Sequence, residues 1–421
     1  GWAQINGRDS ISIEKKSELD GYGVRHSSPA FDLKCLLGTV TKVGHDDTVV
    51  EGGTGAMTKA CRNYTEGKTK EELIGNIGFG EAVEVDKALK KKVLITGAGS
   101  YIGQSFIDYA KKCYPENFEI DELDMMGDAW KEYDFSQYDI IYHVAGIAHA
   151  DVGNVSDETK EKYYQVNTDL TIEVAQKAKE ENVKEIIFMS SMIVYGESAP
   201  YGKKKIIDEN TIPTPANFYG DSKLQADVAI RELADDNFKV IVLRPPMIYG
   251  KGSKGNYPVL AKLAKKFPVF PDVDNERSML YIENLCEFLC QVMLVRKIRR
   301  NAIVLIPQNA EWTNTSVMVT QIANISGKKI VGLKVMRPAV VIGGKMPGKI
   351  GGLINKAFGN NCYAHELSKY QGIDYQKSTL EESVKLTEAN VRNQKKSVLM
   401  LASVASMIDQ FNMSNIDILL N

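Results

Sequence analysis

From residue 91 onward, short runs of consecutive apolar residues alternate with longer stretches of helical spacing. The runs at 93–96, 139–144, 185–189 and 239–243 lack polar alternation, so they predict strands buried on both faces. A further strand is predicted at Phe118–Leu123. Residues 102–112, 158–180 and 217–235 carry apolar positions at helical spacing and predict helices. Such an alternation predicts an α/β fold, a parallel sheet covered on both faces, and the right-handed crossover rule makes it doubly wound. Beyond about 250 the rhythm becomes irregular: helix 257–266, strand near 277–282, helix 283–298, strand 302–306, helix 314–326. This predicts a smaller C-terminal region beside the sheet. Residues 1–90 are polar and rich in Gly and Lys, an irregular N-terminal extension. The glycines of 49–56 read as a turn or linker, 71–78 as a short helix at most, and the lysine run 87–92 as a solvated hinge. A last strand-like stretch, 395–402, opens a helix that stops at Asn421.

Composition narrows the class without naming a chemistry. Of 421 residues, 43% are apolar and 25% charged, which excludes a disordered or collagen-like chain. Fifty-two basic against 54 acidic residues leave a net charge of −2, which gives nucleic acid no support as a partner. No apolar run reaches the ~18–20 residues of a spanning helix. The start, GWAQINGRDS, lacks a signal-peptide pattern and reads as the interior of something longer. The six cysteines form no Cys-x-x-Cys, and the five histidines no His-x-x-x-His. Cys286 and Cys290, four apart on a predicted helix, read as buried thiols rather than metal ligands. A reducing cytoplasm, and no metal, fit this usage.

Chemistry enters at the end of the first strand. Thr96-Gly-Ala-Gly-Ser-Tyr-Ile-Gly103 follows that strand and opens a helix. Glycines at Gly97, Gly99 and Gly103 allow a tight turn and close approach to a pyrophosphate, and a helix N-terminus offers free N–H groups to it. Asp124 lies 21 residues after Gly103, at the end of the second strand. There it can accept from a ribose 2′-hydroxyl and would repel a 2′-phosphate, favouring NAD over NADP. Asp121 and Glu122 compete for that role.

A second constellation lies downstream. The strand 185–189 ends in Ser190-Ser-Met-Ile-Val-Tyr-Gly196, and a helix begins at Phe218-Tyr-Gly-Asp-Ser-Lys223. Tyr219 and Lys223, four apart, share one helical face. A tyrosine is a poor base at its free pKa of ~10. A nearby ammonium and a bound nicotinamide cation favour its phenolate, while a serine hydroxyl holds the substrate oxygen.

With these residues in order, the stretch 91–390 resembles the extended short-chain dehydrogenases/reductases, in particular their NAD-dependent epimerase/dehydratase group, with its Rossmann fold. His143-Val-Ala-Gly146, Asn167-Thr-Asp-Leu-Thr171, Pro215 to Lys223, Arg244-Pro-Pro-Met-Ile-Tyr-Gly250 and Arg277-Ser-Met-Leu-Tyr-Ile-Glu-Asn284 carry the likeness. The resemblance implies Ser191, Tyr219 and Lys223 as catalytic residues. It implies a cofactor site of Gly97, Gly99, Ser100, Tyr101, Ile102, Gly103, Asp124, Asp134, Phe135, Val144, Ala145, Gly146, Asn167, Tyr219 and Lys223. Substrate contacts fall to Ser191, Met247 and Arg277, the last on the nucleotide diphosphate. The implied cofactor is NAD and the implied substrate a nucleotide sugar, UDP-linked; a homodimer stays open. Ser100 stands at the family's usual second glycine, and Met247 where UDP-hexose 4-epimerases usually carry Asn. Met192-Ile193 replaces the Asp-Glu of sugar 4,6-dehydratases, which disfavours dehydration.

The flanks resemble other proteins. Gly1–Arg8, 16–20 and 32–34 resemble the C-terminal end of bacterial undecaprenyl-phosphate sugar transferases, and 397–412 the start of a nucleotide-sugar glycosyltransferase. The expected division is therefore 1–85, a transferase-like fragment; 86–250, the NAD-binding core; 251–394, the substrate region; and 395–421, a truncated tail. Removing 1–85 and 395–421 is expected to leave the chemistry intact. The expected function is NAD-dependent C4 epimerisation of a UDP-hexose or UDP-amino sugar for surface polysaccharide, in the cytoplasm, near the inner face of the membrane. The alternatives are reduction of a 4-keto-6-deoxy sugar and, from another class, a remnant sugar-phosphate transferase or a noncatalytic binding module.

Overall fold

The computed structural model describes residues 63–148, 155–346 and 349–389. The tail strand and the glycine-rich 49–56 segment lie outside them. Strands β1 (Lys91–Thr96), β2 (Phe118–Leu123), β3 (Ile140–His143), β4 (Glu185–Met189), β6 (Lys239–Leu243) and β10 (Ala302–Leu305) form one sheet in the order β2-β1-β3-β4-β6-β10. Every neighbouring pair is parallel. Two-residue β5 (Ile206–Ile207) pairs outside this sheet with β12 (Cys362–Tyr363). Short parallel pairs also join β7 (Met247–Tyr249) to β9 (Met279–Tyr281) and β8 (Val269–Pro271) to β11 (Val331–Leu333).

Strands β1, β3, β4 and β6 each feed two cores, as their apolar runs require. Val93, Ile95, Ile140, Tyr142, Ile187 and Ile241 face one cluster. Their neighbours Leu94, Ile141, Ile186, Phe188, Val240 and Val242 face the other. Helices α2 (Tyr101–Cys113) and α7 (Ile282–Met293) cover the first face; α4 (Leu170–Glu180) and α5 (Phe218–Arg231) cover the second. Cys286 and Cys290 are buried in the first core, and no metal-holding group occurs among the described residues.

The expected single helix over 158–180 is interrupted. It consists of α3 (Asp157–Tyr164), a π turn over Gln165–Asp169, and α4. The front segment is also more ordered than a hinge. Helix α1 (Lys70–Ile74) is closed by a capping box between Thr69 and Glu72. Beyond it Val304 N donates to Asn76 O, Gly78 N to Val304 O, and Asp86 N to Leu294 O. Phe79 is buried. Lys91 and Lys92 of the lysine run belong to β1.

Packing of this front segment rests on buried charge. Arg244 is fully buried and forms a two-pronged pair with Asp227, Nε to Oδ2 at 2.8 Å and Nη2 to Oδ1 at 3.0 Å. Its remaining donors reach Tyr195 Oη, Ile74 O and Leu73 O. Arg231 adds a bond to Asp227 and one to Glu72 O. Burial alone would raise the Asp227 carboxyl, yet the two guanidiniums hold it below the usual carboxylate range. The end of α1 is thus fastened to the turn that carries Ser191.

Candidate active site

Strand order reverses between β1 and β3, so the loops leaving both strands open the crevice where doubly wound sheets bind ligands. The glycine turn leaves β1 there. Gly97 has φ +118°, and a Cβ on it would lie 2.8 Å from Ala145 N, so the turn and the end of β3 touch. Gly99, at φ +72°, has open space above it. Ser100 caps α2, its Oγ accepting from Gly103 N at 3.2 Å. A Cβ at Gly103 would crowd that Oγ to 2.7 Å. Tyr101 crosses to Gly250, its buried hydroxyl lacking a partner, and Ile102 is half-buried beside it.

The acids of β2 divide their work. Glu122 accepts from Gly99 N at 3.1 Å and from Gln104 Nε2 at 2.5 Å, bracing the glycine turn. Asp121 is taken by Tyr138 Oη at 2.7 Å. Asp124 is exposed and, among the described residues, accepts from Met126 N alone, at 3.0 Å. Asp134 is exposed and holds Ser136, which keeps its carboxyl below the usual range. The Phe135 side chain is fully buried in the core.

At the ends of β1, β3 and β4, Thr96, His143 and Phe188 stand side by side. His143 Nδ1 is 2.8 Å from Thr96 Oγ1 and Nε2 is 3.1 Å from Thr171 Oγ1. Thr171 Oγ1 donates to Asn167 O, so it accepts from His143 Nε2–H, and Nδ1 accepts from Thr96. Burial, then the charge of Lys223, pushes the His143 pKa down to about 3. The ring is a neutral strut. Its partner Thr171 lies one turn beyond Asn167, in the π turn. Asn167 Oδ1 accepts from Ile147 N at 2.8 Å, and its Nδ2 donates to Ile147 O and Ser222 Oγ, each at 3.1 Å. The half-buried Val144 and Ala145 lead into this strand end.

Helix α5 begins at its Asn217 cap, whose Oδ1 accepts from Gly220 N. A Cβ at Gly220 would sit 2.9 Å from Ile193 O, so α5 lies hard against the turn after β4. That contact sets Tyr219 beside Ser191, and a hydrogen bond joins them. Ser191 also accepts from Ile193 N at 3.3 Å. Burial raises the Tyr219 phenol to about 12, with the Ser191 bond opposing. Lys223 Nζ donates to Met189 O at 3.0 Å and lies 4.8 Å over the Phe188 ring. Burial lowers its pKa to about 8. A Cβ at Gly146 would lie 2.9 Å from Lys223 Nζ and 3.0 Å from Asn167 Oδ1. In the protein alone burial leads at the Tyr219 phenol; the expected favouring of the phenolate also calls on the bound nicotinamide cation.

Met247 is half-buried in β7, opposite Met279. Arg277 donates to Lys356 O at 2.6 Å and has no carboxylate partner among the described residues. Burial pushes its pKa down.

The chain's residues fit a dinucleotide. Open space lies above Gly99, Ser190 Oγ is buried without a partner at the end of β4, and one Lys223 hydrogen bond leaves two ammonium donors available. The sequence profile described as the NAD dependent epimerase/dehydratase family matches residues 93–306. The chain belongs to this family. The cofactor of this NAD-dependent enzyme is NAD. Among similar proteins, the UDP-glucose 4-epimerase of Vibrio cholerae is 28% identical over 224 residues, 48% of this chain and 67% of that one. An N-acetyl-alpha-D-glucosaminyl-diphospho-ditrans,octacis-undecaprenol 4-epimerase of Escherichia coli O157:H7 is 27% identical over 272 residues, covering 61% and 78%. The sugar-transferase likeness is borne out by a 43-residue segment that is 60% identical to the uncharacterized sugar transferase EpsL of Bacillus subtilis, 10% of this chain and 21% of that one. The fold matches the UDP-glucuronic acid 4-epimerase from Bacillus cereus in complex with NAD, with a TM-score of 0.53 and 16% identity, over 70% of this chain and 95% of that one. It equally matches a UDP-N-acetylglucosamine 4-epimerase from Methanobrevibacter ruminantium, with a TM-score of 0.51 and 17% identity, over 71% and 97%.

Sequence reasoning did not assign the bracing role of Glu122, the His143–Thr171 strut or the Asp227–Arg244–Tyr195 network. A histidine inside the apolar run Ile-Ile-Tyr-His-Val was the one visible signal, since a buried polar side chain there must find partners.

Proposed function

We propose that the protein is a 4-epimerase of a UDP-hexose or UDP-amino sugar, acting in surface-polysaccharide synthesis at the cytoplasmic side of the membrane. The observation that carries this reading is the Ser191–Tyr219 pair set beside the buried Lys223 at the crevice where the sheet reverses. Bound NAD supplies a hydride acceptor that returns the hydride within one cycle. Tyr219 takes the proton of the sugar 4-hydroxyl and later gives one back. Ser191 holds the same oxygen through its hydroxyl, and Lys223 would hold the bound cofactor with its remaining ammonium donors while keeping positive charge near the phenolate. With its phenol at about 12, Tyr219 is protonated at neutral pH in the protein alone, and the positive charge of a bound nicotinamide would favour its phenolate. Arg277, a half-buried guanidinium with no carboxylate partner among the described residues, suits the substrate diphosphate. Asp124, exposed at the end of β2, and Glu122 on the glycine turn favour NAD over NADP. The turn after Ser191 is Met-Ile-Val-Tyr and carries no acid, which supports simple oxidation and reduction at C4 over loss of water.

Met247 favours a second reading, reduction of a nucleotide 4-keto sugar by the same residues with release of oxidised cofactor. Mass analysis of nucleotide released from the denatured, purified protein separates the two. Bound NAD⁺ at close to one per chain supports the epimerase; an empty site contradicts it and supports the reductase.

A further inference from the structure

One face of the molecule takes no part in this chemistry. Between Glu311 and Glu366 the chain has no acidic residue and seven basic ones. Helix α9 (Arg337–Gly344) and helix α10 (Lys349–Phe358) follow β11 and form a hairpin, with Asn355 Nδ2 donating to Gly344 O at 2.9 Å. Six of the fourteen exposed large apolar side chains among the described residues fall within 331–353: Val331, Val335, Val341, Ile342, Met346 and Leu353. Three of them are two-thirds exposed or nearly so, Val335 at 80%, Leu353 at 67% and Ile342 at 66%. The β8–β11 register sets Val331 beside Val269, which is also exposed. Among these apolar groups, Lys328, Lys329, Lys334, Lys345 and Lys356 are exposed and form no ion pair among the described residues. Arg337 anchors the hairpin to Asp274, at 3.2 Å.

Each half of this pattern alone has an ordinary meaning. Scattered lysines keep a surface solvated, and an apolar patch marks a protein interface. Protein interfaces, however, exclude lysine from their cores. Apolar side chains interspersed with unpaired lysines, with the adjoining Asp272 and Asp274 both paired to Arg337, match a surface lying in the headgroup layer of an anionic bilayer. We propose that the face from β11 to α10 docks on an anionic phospholipid membrane. It adjoins the substrate side of the crevice, because Arg277 is held by Lys356 O. The proposal stands whatever sugar the site takes, since its readout is binding.

The test is co-sedimentation of the full chain with phosphatidylcholine vesicles, with and without phosphatidylglycerol. Binding is expected only with phosphatidylglycerol and is expected to weaken with salt. Lys334→Glu with Lys345→Glu should lower the partition by about 25-fold or more, at about fivefold per lysine removed. Ile342→Ser with Leu353→Ser should lower it too, and both double variants should keep wild-type turnover in solution. Absence of vesicle binding would overturn the proposal. So would binding that both variants leave unchanged, which would assign it to another segment. So would light scattering that shows a dimer dissociated by the same changes, which would make the face a contact between copies.

Discussion

Tyr219 shows how environment sets a residue's work. Its phenol is pushed up to about 12 by burial, and Ser191 is its hydrogen-bond partner. Tyr219→Phe should therefore lower turnover by about 10²–10⁴-fold, the usual share of a general acid–base group, while NAD stays bound. Turnover near wild type would remove Tyr219 from the chemistry. Lys223 makes a second prediction. Its folded pKa of about 8 lies below the ordinary lysine value of 10.5, so the unfolded chain binds more protons between those limits. Stability is therefore diminished in full below about pH 8 and regained as pH rises toward 10.5. Lys223→Met should melt at or above wild type at pH 7 and lose turnover, with the difference in melting shrinking above pH 8. A variant that melts well below wild type at pH 7 would show that the bond to Met189 O outweighs desolvation. Both residues were legible because four-residue spacing on a helix is written in the sequence. The direction of the Tyr219 shift was not, because burial belongs to the folded environment.

Among the elements, the π turn before α4 decides where Asn167 points. Periodicity predicted one continuous helix over 158–180, because a single inserted residue barely disturbs a 3.6-residue pattern. The turn is braced by Thr171 Oγ1, which donates to Asn167 O and accepts from the neutral His143. Thr171→Val leaves a buried imidazole N–H without an acceptor and frees the turn. Turnover should fall by up to about 10²-fold through misplacement of Asn167. Thr171→Ser keeps the hydroxyl and should restore it. Equal turnover in the two variants would reduce the strut to packing. Strands were the most legible elements, since β3, β4 and β6 are unbroken apolar runs within a residue or two of the expected limits. Their order in the sheet was not written in any residue; the crossover rule gave only the doubly wound class.

For the whole molecule, the front segment matters most. Glycines and lysines made residues 1–90 read as loosely tethered, because a sequence does not show that a buried arginine elsewhere needs carbonyl acceptors. Leu73 O and Ile74 O serve Arg244, Glu72 O serves Arg231, and Phe79 joins the core. We propose that the folding unit starts near residue 63 rather than at 86. A chain trimmed to 63–394 should melt like the full chain. One trimmed to 86–394 should melt several degrees lower or fail to fold, each orphaned buried donor costing about 1–3 kcal/mol. Identical melting of the two would show that the segment is dispensable. The central claim, hydride removal and return at C4 within one site, has its own direct test. The full chain, without added cofactor, is given UDP-glucose and UDP-N-acetylglucosamine deuterated at C4, and the products are followed by NMR. The account predicts a C4 epimer of one of them that keeps its deuterium, formed by wild type and not by Tyr219→Phe. Loss of the deuterium to solvent, or turnover that stops unless reduced cofactor is supplied in equal amount, would contradict it.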